Sequence, residues 1–470
     1  MHCFGDDALG CLDAVGVAAA IRAGHVSREE VLEAALARVG RAEPLLRAVQ
    51  VECFARARGE RATAGAFSGV PSFVKDDIDV RGLPTGHGSA AFTPGPARSD
   101  AAPTRQFLAQ GFVLLGKSTL PEFGLSASTE YAGRAPTRNP WSTEHSAGGS
   151  SGGSAALVAC GAVPIAHAND GGGSIRIPAA VNGLVGLKAT RCRLLDQPGV
   201  RQAPVNLVSE GVLTRSVRDT AHYLAAAERF APNPKLEPVG LVDGPAAHRL
   251  RVGVVDRDVF GRPVHPQTAA VLGSAARTLA GLGHELIEIR LGVTPRFVDD
   301  FTFYWAFTAV GMCGALIASH GGGFRPRHLD PLTKGLIRLV WRNLARVIPA
   351  IRRLRRESQR YDTQFASVDA LLTPVVAHPA PKIGELAPDQ PFDQLLAKLI
   401  DYVAFTPINN VGGGPAIALP HRLMAGGLPG SIQLSAPRGD ERTLLGLAYE
   451  LEATSPFPQI TATVGPPIER

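Results

Sequence analysis

The chain has 470 residues, of which 45 % are hydrophobic and 19 % charged; this balance suits a large buried core and excludes global disorder. Its six cysteines include no CxxC pair, which excludes a zinc ribbon, a dithiol redox site and a dense disulfide framework. The formal charge of +6 is local, because residues 334–360 hold nine basic residues and one acid. The rest of the chain is slightly acidic, so nucleic-acid binding is not expected.

The first predicted elements lie near the N-terminus. Asp6 and Asp7 stand where a secretory signal carries positive charge, so a cytoplasmic location is expected. Ser27 and Glu30 form a capping-box pattern before an apolar run of helical spacing, which predicts an amphipathic helix.

From about Gly69 onward, short apolar runs alternate with glycine and proline, which predicts strands, several of them buried on both faces. The runs are VPSFV, GFVLLG, GLVGL, LRVGVV, DALLTPV, PAIALP and GSIQLS. Helical patterns at 216–229 and 442–452 lie between or after them. The predicted fold class is therefore α/β with a mixed sheet.

Residues 295–360 lack strand features and are predicted to form a helical insertion on the substrate side. The uncharged run 301–319 is interpreted as buried rather than as a membrane span, because threonines, glycines and a tyrosine interrupt it. Arg338, Arg342 and Arg346 are predicted to share one helical stripe. A solvated face is favoured for that stripe over contact with an anionic membrane, although the membrane alternative stays open.

Two glycine-serine tracts give the strongest local signal, SAGGSSGGS at 146–154 and DGGGS at 170–174. Consecutive glycines let backbone N–H groups point at one spot, as an oxyanion site requires, although a tight turn alone is the plain alternative. The first tract also matches G-x-S-x-G centred on Ser150 or Ser151, but the preceding RNPWSTEHSA is not the buried strand that a nucleophile elbow follows. Neither tract has the lysine or spacing of a phosphate-binding loop. A third interpretation is that the tracts supply two serines to one site.

Lys75 is the candidate base for such a site, because it directly follows the apolar run VPSFV. Loss of hydration at the end of a buried strand disfavours the ammonium form of a lysine and favours its action as a proton acceptor. Spacing alone favours the alternative, an ordinary ion pair with Asp76 or Asp77.

The motifs VKDDIDVRGLPT, GGSSGGSAA and DGGGSIRIPAA, with NGLVGLK after the third, resemble in order and spacing the amidase signature family of Ser-cisSer-Lys amide hydrolases. The resemblance continues in NPW at 139–141 and in the C-terminal GGGPAIALP, and it covers about residues 10–455. It implies one domain over residues 1–470, built as a twisted mixed sheet with helices on both faces, with the signature core at about 65–220.

The resemblance also implies roles for single residues. Lys75 matches the base, Ser150 the bridging serine after a cis peptide bond, and Ser174 the nucleophile. The implied reaction is amide hydrolysis through a serine acyl-enzyme, in which Ser150 relays the proton of Ser174 to Lys75. No metal or other cofactor is implied. The supporting residues are Gly171, Gly172 and Gly173 for the oxyanion hole, and Ser151, Asp170 and Arg176 for holding the tracts in place.

Within this family, AHANDGGGSIRIPAA looks most like aminohexanoate cyclic-dimer hydrolases and related aryl and acyl amidases. Phe301, Tyr304 and Trp305 favour a small-molecule amide with an apolar or aromatic part, because a glutamine pocket needs polar and charged residues. Two alternatives stay open: a glutaminase subunit of a tRNA-dependent amidotransferase, and acyl transfer to a nucleophile other than water. The oligomeric state is also open, with a homodimer as a candidate.

Overall fold

The structure is a computed structural model that describes residues 1–60, 63–246 and 248–460. The strands of this part of the chain form an eight-stranded sheet, a three-stranded sheet and a two-stranded pair. In chain order they are β1 Val49–Glu52, β2 Pro71–Lys75, β3 Val113–Ser118, β4 Arg138–Asn139, β5 Ser142–Ser146, β6 Ile165–Asp170, β7 Val185–Lys188, β8 Ser209–Thr214, β9 Arg251–Val254, β10 Glu285–Glu288, β11 Ala370–Pro374, β12 Ala416–Leu423 and β13 Pro429–Ser435.

The large sheet has the order β10-β9-β11-β13-β12-β7-β8-β6. β10, β9 and β11 are parallel neighbours, whereas the pairs from β11 through β6 are antiparallel. The smaller sheet has the order β1-β3-β2, with β2 parallel to β3. All seven apolar runs predicted as strands are strands, and the predicted α/β class with a mixed sheet is confirmed.

Helices cover the sheets and fill the segments between strands. They are α1 Ala14–Arg22, α2 Arg28–Leu46, α3 Phe54–Gly59, α4 Ala102–Leu108, α5 Gly152–Ala159, α6 Arg176–Asn182, α7 Pro198–Arg201, α8 Val217–Phe230, α9 Pro266–Gly281, α10 Pro295–His320, α11 Pro331–Trp341, α12 Val347–Arg360, α13 Phe392–Tyr402, α14 Pro407–Gly412 and α15 Glu441–Thr454. The predicted capping box is present, because Glu30 N–H donates to Ser27 Oγ and Ser27 N–H donates to the Glu30 carboxylate. The largest apolar cluster has members from Cys3 to Phe457.

The two sheets meet where β2 runs beside β6. Ser72 Oγ donates to the Ile165 carbonyl at 2.8 Å, and Lys75 N–H donates to His167 Nδ1 at 3.4 Å. Both strands are fully buried. Their carboxyl ends therefore lie together, and this places Lys75 next to the residues that end β6.

The helical insertion contains α10, α11 and α12, as predicted for residues 295–360. The prediction that residues 301–319 are buried is wrong for most of that run. Among the described residues, Pro295–Gly323 is the one helical stretch with the length and hydropathy of a membrane span, and only 28 % of its most apolar window is buried. One side of α10 packs on the core, another lines a cavity, and its last turns are exposed.

The predicted arginine stripe is not continuous. Helix α11 ends at Trp341, so Arg342 caps it, and Arg346 lies in a short 3₁₀ turn. The Arg346 guanidinium packs over the ring of Phe303, 4.8 Å from its centroid. Sequence spacing assumed one helix across a segment in which the chain turns.

Candidate active site

The first glycine-serine tract connects β5 to the N-terminus of α5. β5 is a half-exposed strand paired only with β4 among the described strands, so the buried strand of a nucleophile elbow does not precede it. Position 149 requires glycine, because a Cβ there would lie 2.6 Å from the Ser126 carbonyl oxygen. The Gly149-Ser150 peptide bond is cis, as the family resemblance implied.

Lys75 and Ser150 are in direct contact in the buried interior. Lys75 Nζ donates to Ser150 Oγ at 2.7 Å and to Asn169 Oδ1 at 2.6 Å. It also lies 3.3 Å from Asp77 Oδ2. Both sequence interpretations of Lys75 therefore describe part of its surroundings: it contacts Ser150 and forms an ion pair with Asp77. Asp76 pairs instead with Lys117, at 2.7 Å.

Asp77 and Asn169 are the other two side chains in contact with Lys75 Nζ. Asn169 Nδ2 donates to Asp77 Oδ2 at 2.9 Å, so the three side chains form a closed group. Burial raises the pKa of Asp77, but the nearby ammonium of Lys75 and the Asn169 hydrogen bond outweigh it and leave the pKa below its usual value. Asp77 is thus a carboxylate at neutral pH.

Ser174 lies on the wall of a cavity of about 690 Å³ that Lys75 and Ser150 also line. It is half-buried, and within the described residues its hydroxyl makes no hydrogen bond. The structure therefore brings the three predicted catalytic side chains to one cavity and joins two of them directly. The third hydroxyl faces the space in which a ligand would bind.

The second tract is fixed by a buried ion pair at its base. Arg176 Nε donates to Asp170 Oδ2 at 2.9 Å and Arg176 Nη2 donates to Oδ1 at 3.0 Å. The same guanidinium donates to Gln433 Oε1 at 2.8 Å and to Asn410 Oδ1 at 2.6 Å. Burial raises the pKa of Asp170, but Arg176 outweighs this and holds it well below its usual range. Both residues therefore shape the loop.

The structure corrects one part of the expected oxyanion hole. Gly173 N–H donates to Asp170 Oδ1 at 2.7 Å. Because this N–H already has a buried acceptor, Gly173 is not a donor of the expected oxyanion hole. Thr406 Oγ1 donates to the Gly172 carbonyl at 2.6 Å and fixes the orientation of that peptide. In the first tract, Ser151 Oγ donates to the Asn169 carbonyl at 3.3 Å, a supporting contact between this tract and the end of β6.

Phe301, Tyr304 and Trp305 all line the cavity that contains the serines. A Cβ at position 172 would lie 3.2 Å from Phe301 Cζ, so this ring rests against the glycine tract. Tyr304 Oη both accepts from Val205 N–H and donates to the Val205 carbonyl, each at 2.8 Å. Tyr304 therefore fixes a second wall of the cavity.

Sequence reasoning missed Asn169, Thr406 and His87 as parts of this site. Asn169 had a detectable signal: it is two residues from His167 in β6, so both side chains point to the same face of the strand, toward Lys75. His87 lines the cavity, and its Nδ1 is buried without a hydrogen-bond partner among the described residues. Thr406 had no local signal.

No group of three or more His, Cys, Asp or Glu side chains within residues 1–60, 63–246 and 248–460 is arranged to hold a metal ion. Function without a metal stays a prediction. What the site does offer is a lysine in contact with one serine, a second serine at a cavity wall, and backbone N–H groups beside it.

Comparison with known proteins connects this geometry to a family. The family model described as Amidase matches residues 30–445. A protein named "Putative amidase AmiC" from Mycobacterium leprae (strain TN) is 49 % identical over 463 residues, covering 98 % of each chain. The 6-aminohexanoate-cyclic-dimer hydrolase of Paenarthrobacter ureafaciens is 34 % identical and covers 95 % of each chain. A solved structure of 6-aminohexanoate cyclic dimer hydrolase superposes with a TM-score of 0.88 at 32 % identity, covering 96 % of this chain and 98 % of that one.

Proposed function

The chain belongs to the amidase family, whose members it matches over nearly its whole length, and on that premise we propose that it hydrolyses uncharged amides through an acyl-enzyme on Ser174. Amide hydrolysis follows from the family. The proposal adds the nucleophile, the proton path and the kind of amide. The observation that carries it is the hydrogen bond between Lys75 and Ser150 at the cavity wall that Ser174 also lines.

Lys75 first releases to solvent the ammonium proton that pairs with Asp77 in the resting site. Ser174 then attacks the carbonyl carbon of the amide, and its proton passes to Ser150 as Ser150 gives its own proton to Lys75. A serine hydroxyl needs such a base to become a competent nucleophile. When the tetrahedral intermediate collapses, the relay runs in reverse and protonates the leaving nitrogen. Water then attacks the acyl-enzyme by the same route and releases the acid.

The proposed role of Asp77 is to stabilise Lys75 when Lys75 accepts a proton. The carboxylate lies 3.3 Å from Nζ in a buried setting, so it stabilises the ammonium formed in the transition state. Asn169 orients both groups. Asp77 thus serves Lys75 as the aspartate of a Ser-His-Asp triad serves its histidine, by orienting a base and stabilising its charged form.

The N–H groups of Gly171, Gly172 and Ser174 are the proposed donors to the oxyanion. Each well-placed donor contributes about 3 kcal/mol to stabilisation of the transition state. The contact of Thr406 with the Gly172 carbonyl matters here, because it fixes the peptide plane between Gly172 and Gly173, directly before Ser174.

The substrate is proposed to carry an apolar or aromatic part. The cavity is lined mainly by apolar side chains, including Phe301, Trp305, Phe307, Met312 and Leu316. Burial of apolar surface there stabilises a bound ligand by about 25 cal/mol per Å². Glutamine offers little apolar surface to this wall, and its amino and carboxylate groups would lose hydration against it.

One panel of amides assayed on the isolated chain tests the proposal. It runs from acetamide and glutamine to anilides, fatty amides and the cyclic aminohexanoate dimer, with Ser174→Ala as the blank. We expect kcat/KM to rise with the apolar size of the substrate. Hydrolysis of glutamine alone, or only after a partner protein is added, would identify an amidotransferase subunit and overturn the ranking. Preference for an added amine over water as acyl acceptor would show acyl transfer.

A further inference from the structure

The corner between α11 and α12 exposes large apolar side chains to solvent. Trp341, Leu344 and Ile348 are 61 %, 52 % and 56 % exposed, the three highest values among the large apolar side chains of the described residues. The remaining exposed ones are scattered along the sequence: Leu12, Leu45, Phe230, Leu241, Phe260 and Ile317. Three such side chains within eight residues form a patch that a solvated face does not require.

Arginines surround this patch, and we call the whole set the basic corner: Arg338, Trp341, Arg342, Leu344, Ile348 and Arg352. Arg338 precedes Trp341 by three residues in α11, and Arg352 follows Ile348 by four in α12, so each lies beside its apolar neighbour on the same helix face. All three arginines are exposed. None of them forms an ion pair among the described residues, and no acid occurs in residues 331–356.

The basic corner is firmly joined to the cavity wall. Arg353, next to Arg352, donates two hydrogen bonds to the Asp300 carboxylate of α10, at 2.6 and 2.8 Å. Arg346 packs over Phe303 of the same helix. The opposite side of α10 lines the cavity with Phe301, Thr308 and Met312. The corner therefore packs against the same helix that lines the cavity.

We propose that the basic corner docks on an anionic lipid surface, with Trp341, Leu344 and Ile348 inserted among the headgroups and the three arginines bound to phosphates. Tryptophan is favoured at the level of the headgroups, where its ring is apolar and its N–H is hydrated. Arginine side chains lie along apolar surface while the guanidinium reaches an anion. This proposal does not depend on which amide the enzyme hydrolyses.

A second copy of the chain is the less suitable occupant. In a symmetric dimer the same patch meets itself, which would set Arg338, Arg342 and Arg352 of one copy against those of the other. Like charges facing each other across an interface disfavour association. An anionic bilayer satisfies the apolar and the basic part of the corner at once.

Vesicle sedimentation tests the proposal with the full-length enzyme. We expect the wild type to sediment with vesicles of phosphatidylcholine and phosphatidylserine, and at least about tenfold less with phosphatidylcholine alone. The triple serine variant, Trp341→Ser, Leu344→Ser and Ile348→Ser, should lose most of this binding. The combined change Arg338→Gln, Arg342→Gln and Arg352→Gln should lose it as well. The matched controls should bind like the wild type: Leu45→Ser, Phe230→Ser and Leu241→Ser together, and Arg22→Gln, Arg98→Gln and Arg290→Gln together.

Tryptophan fluorescence locates the contact independently. The chain has three tryptophans; Trp141 is buried and Trp305 half-buried. Anionic vesicles should therefore shift the emission of the wild type to shorter wavelength, and Trp341→Phe should abolish the shift while it keeps most of the sedimentation. A shift that persists in Trp341→Phe would place the contact elsewhere and overturn the proposal.

Three further outcomes would also overturn it. The first is equal sedimentation of the wild type and the triple serine variant, in samples whose circular dichroism shows the same fold. The second is a wild-type dimer, seen by light scattering, that the triple serine variant converts to a monomer. The third is retention of RNA that depends on the arginines and not on the apolar residues.

Discussion

The two serine tracts and the helical insertion hold their side chains in different ways. Asp170 and Arg176 are fully buried, and every carboxylate oxygen of Asp170 has at least one donor. In the insertion, α10 presents apolar side chains to a cavity and to solvent. A tract fixed by charged hydrogen bonds keeps one geometry, as chemistry requires. In the proposed function the apolar wall selects the substrate, and replacing one of its side chains changes the shape of the cavity.

The largest expected effect is on the chemistry of the tracts. Ser174→Ala should abolish turnover, and Ser150→Ala and Lys75→Ala should each lower kcat by about 10⁴-fold or more, because a relay acts as one unit. The double variant Lys75→Ala/Ser150→Ala should therefore have a kcat no lower than that of the slower single variant. Steady-state kinetics give the rates, and thermal unfolding of Ser174→Ala should match the wild type. If Lys75→Ala stayed active while a histidine variant lost activity, the relay would be wrong.

The second effect concerns the buried ion pair beneath Ser174, the proposed nucleophile. Arg176→Met leaves the Asp170 carboxylate buried without its partner, and such a loss costs about 3 to 5 kcal/mol. Urea unfolding should show this drop in the free energy of unfolding. The exposed pair Arg58–Glu33 provides the control, since Arg58→Met should change stability far less. Equal losses in both variants would show that the buried pair has no special structural role.

The third effect sharpens the role of Asp77. Asp77→Asn removes the carboxylate that lies 3.3 Å from Lys75 Nζ. Steady-state kinetics should show kcat lower by about ten- to a hundredfold, because the ammonium formed in the transition state loses its charged partner. Asp369→Asn, in an exposed ion pair with Arg251, should leave kcat unchanged. A lower free energy of unfolding with an unchanged kcat would show that Asp77 acts only in the structure of the site.

The contrast between the regions also explains what the sequence could predict. Lys75, Ser150 and Ser174 lie in motifs of fixed spacing, and the seven apolar runs carry the strand pattern within themselves. The partners of the second tract come from far along the chain: Thr406 contacts Gly172 across 234 residues. Such contacts depend on the order of strands in the sheet, which no local pattern contains.

The errors have the same origin. Three consecutive glycines predicted three N–H donors to an oxyanion, yet the Gly173 N–H donates to the Asp170 carboxylate. The conformation of the whole loop determines this direction. The apolar composition of residues 301–319 predicted burial. Composition does not distinguish a helix side that meets the core from one that lines a cavity or meets solvent.

The smallest expected effect is on the cavity wall, and it separates binding from chemistry. Phe301→Ala removes the ring that rests against Gly172, so an anilide should lose about tenfold in kcat/KM, mainly through KM, at about 25 cal/mol per Å² of lost apolar contact. Acetamide, which has only one methyl group to contact the ring, should lose far less. Phe324→Ala is the control, because this buried ring packs near Phe92 outside the cavity lining and should lower stability without changing the ratio of the two substrates. An equal loss of kcat/KM for acetamide and the anilide in Phe301→Ala would mean that the ring positions the glycine tract. Phe301 would then belong to the reacting part of the site and not to the wall that selects the substrate.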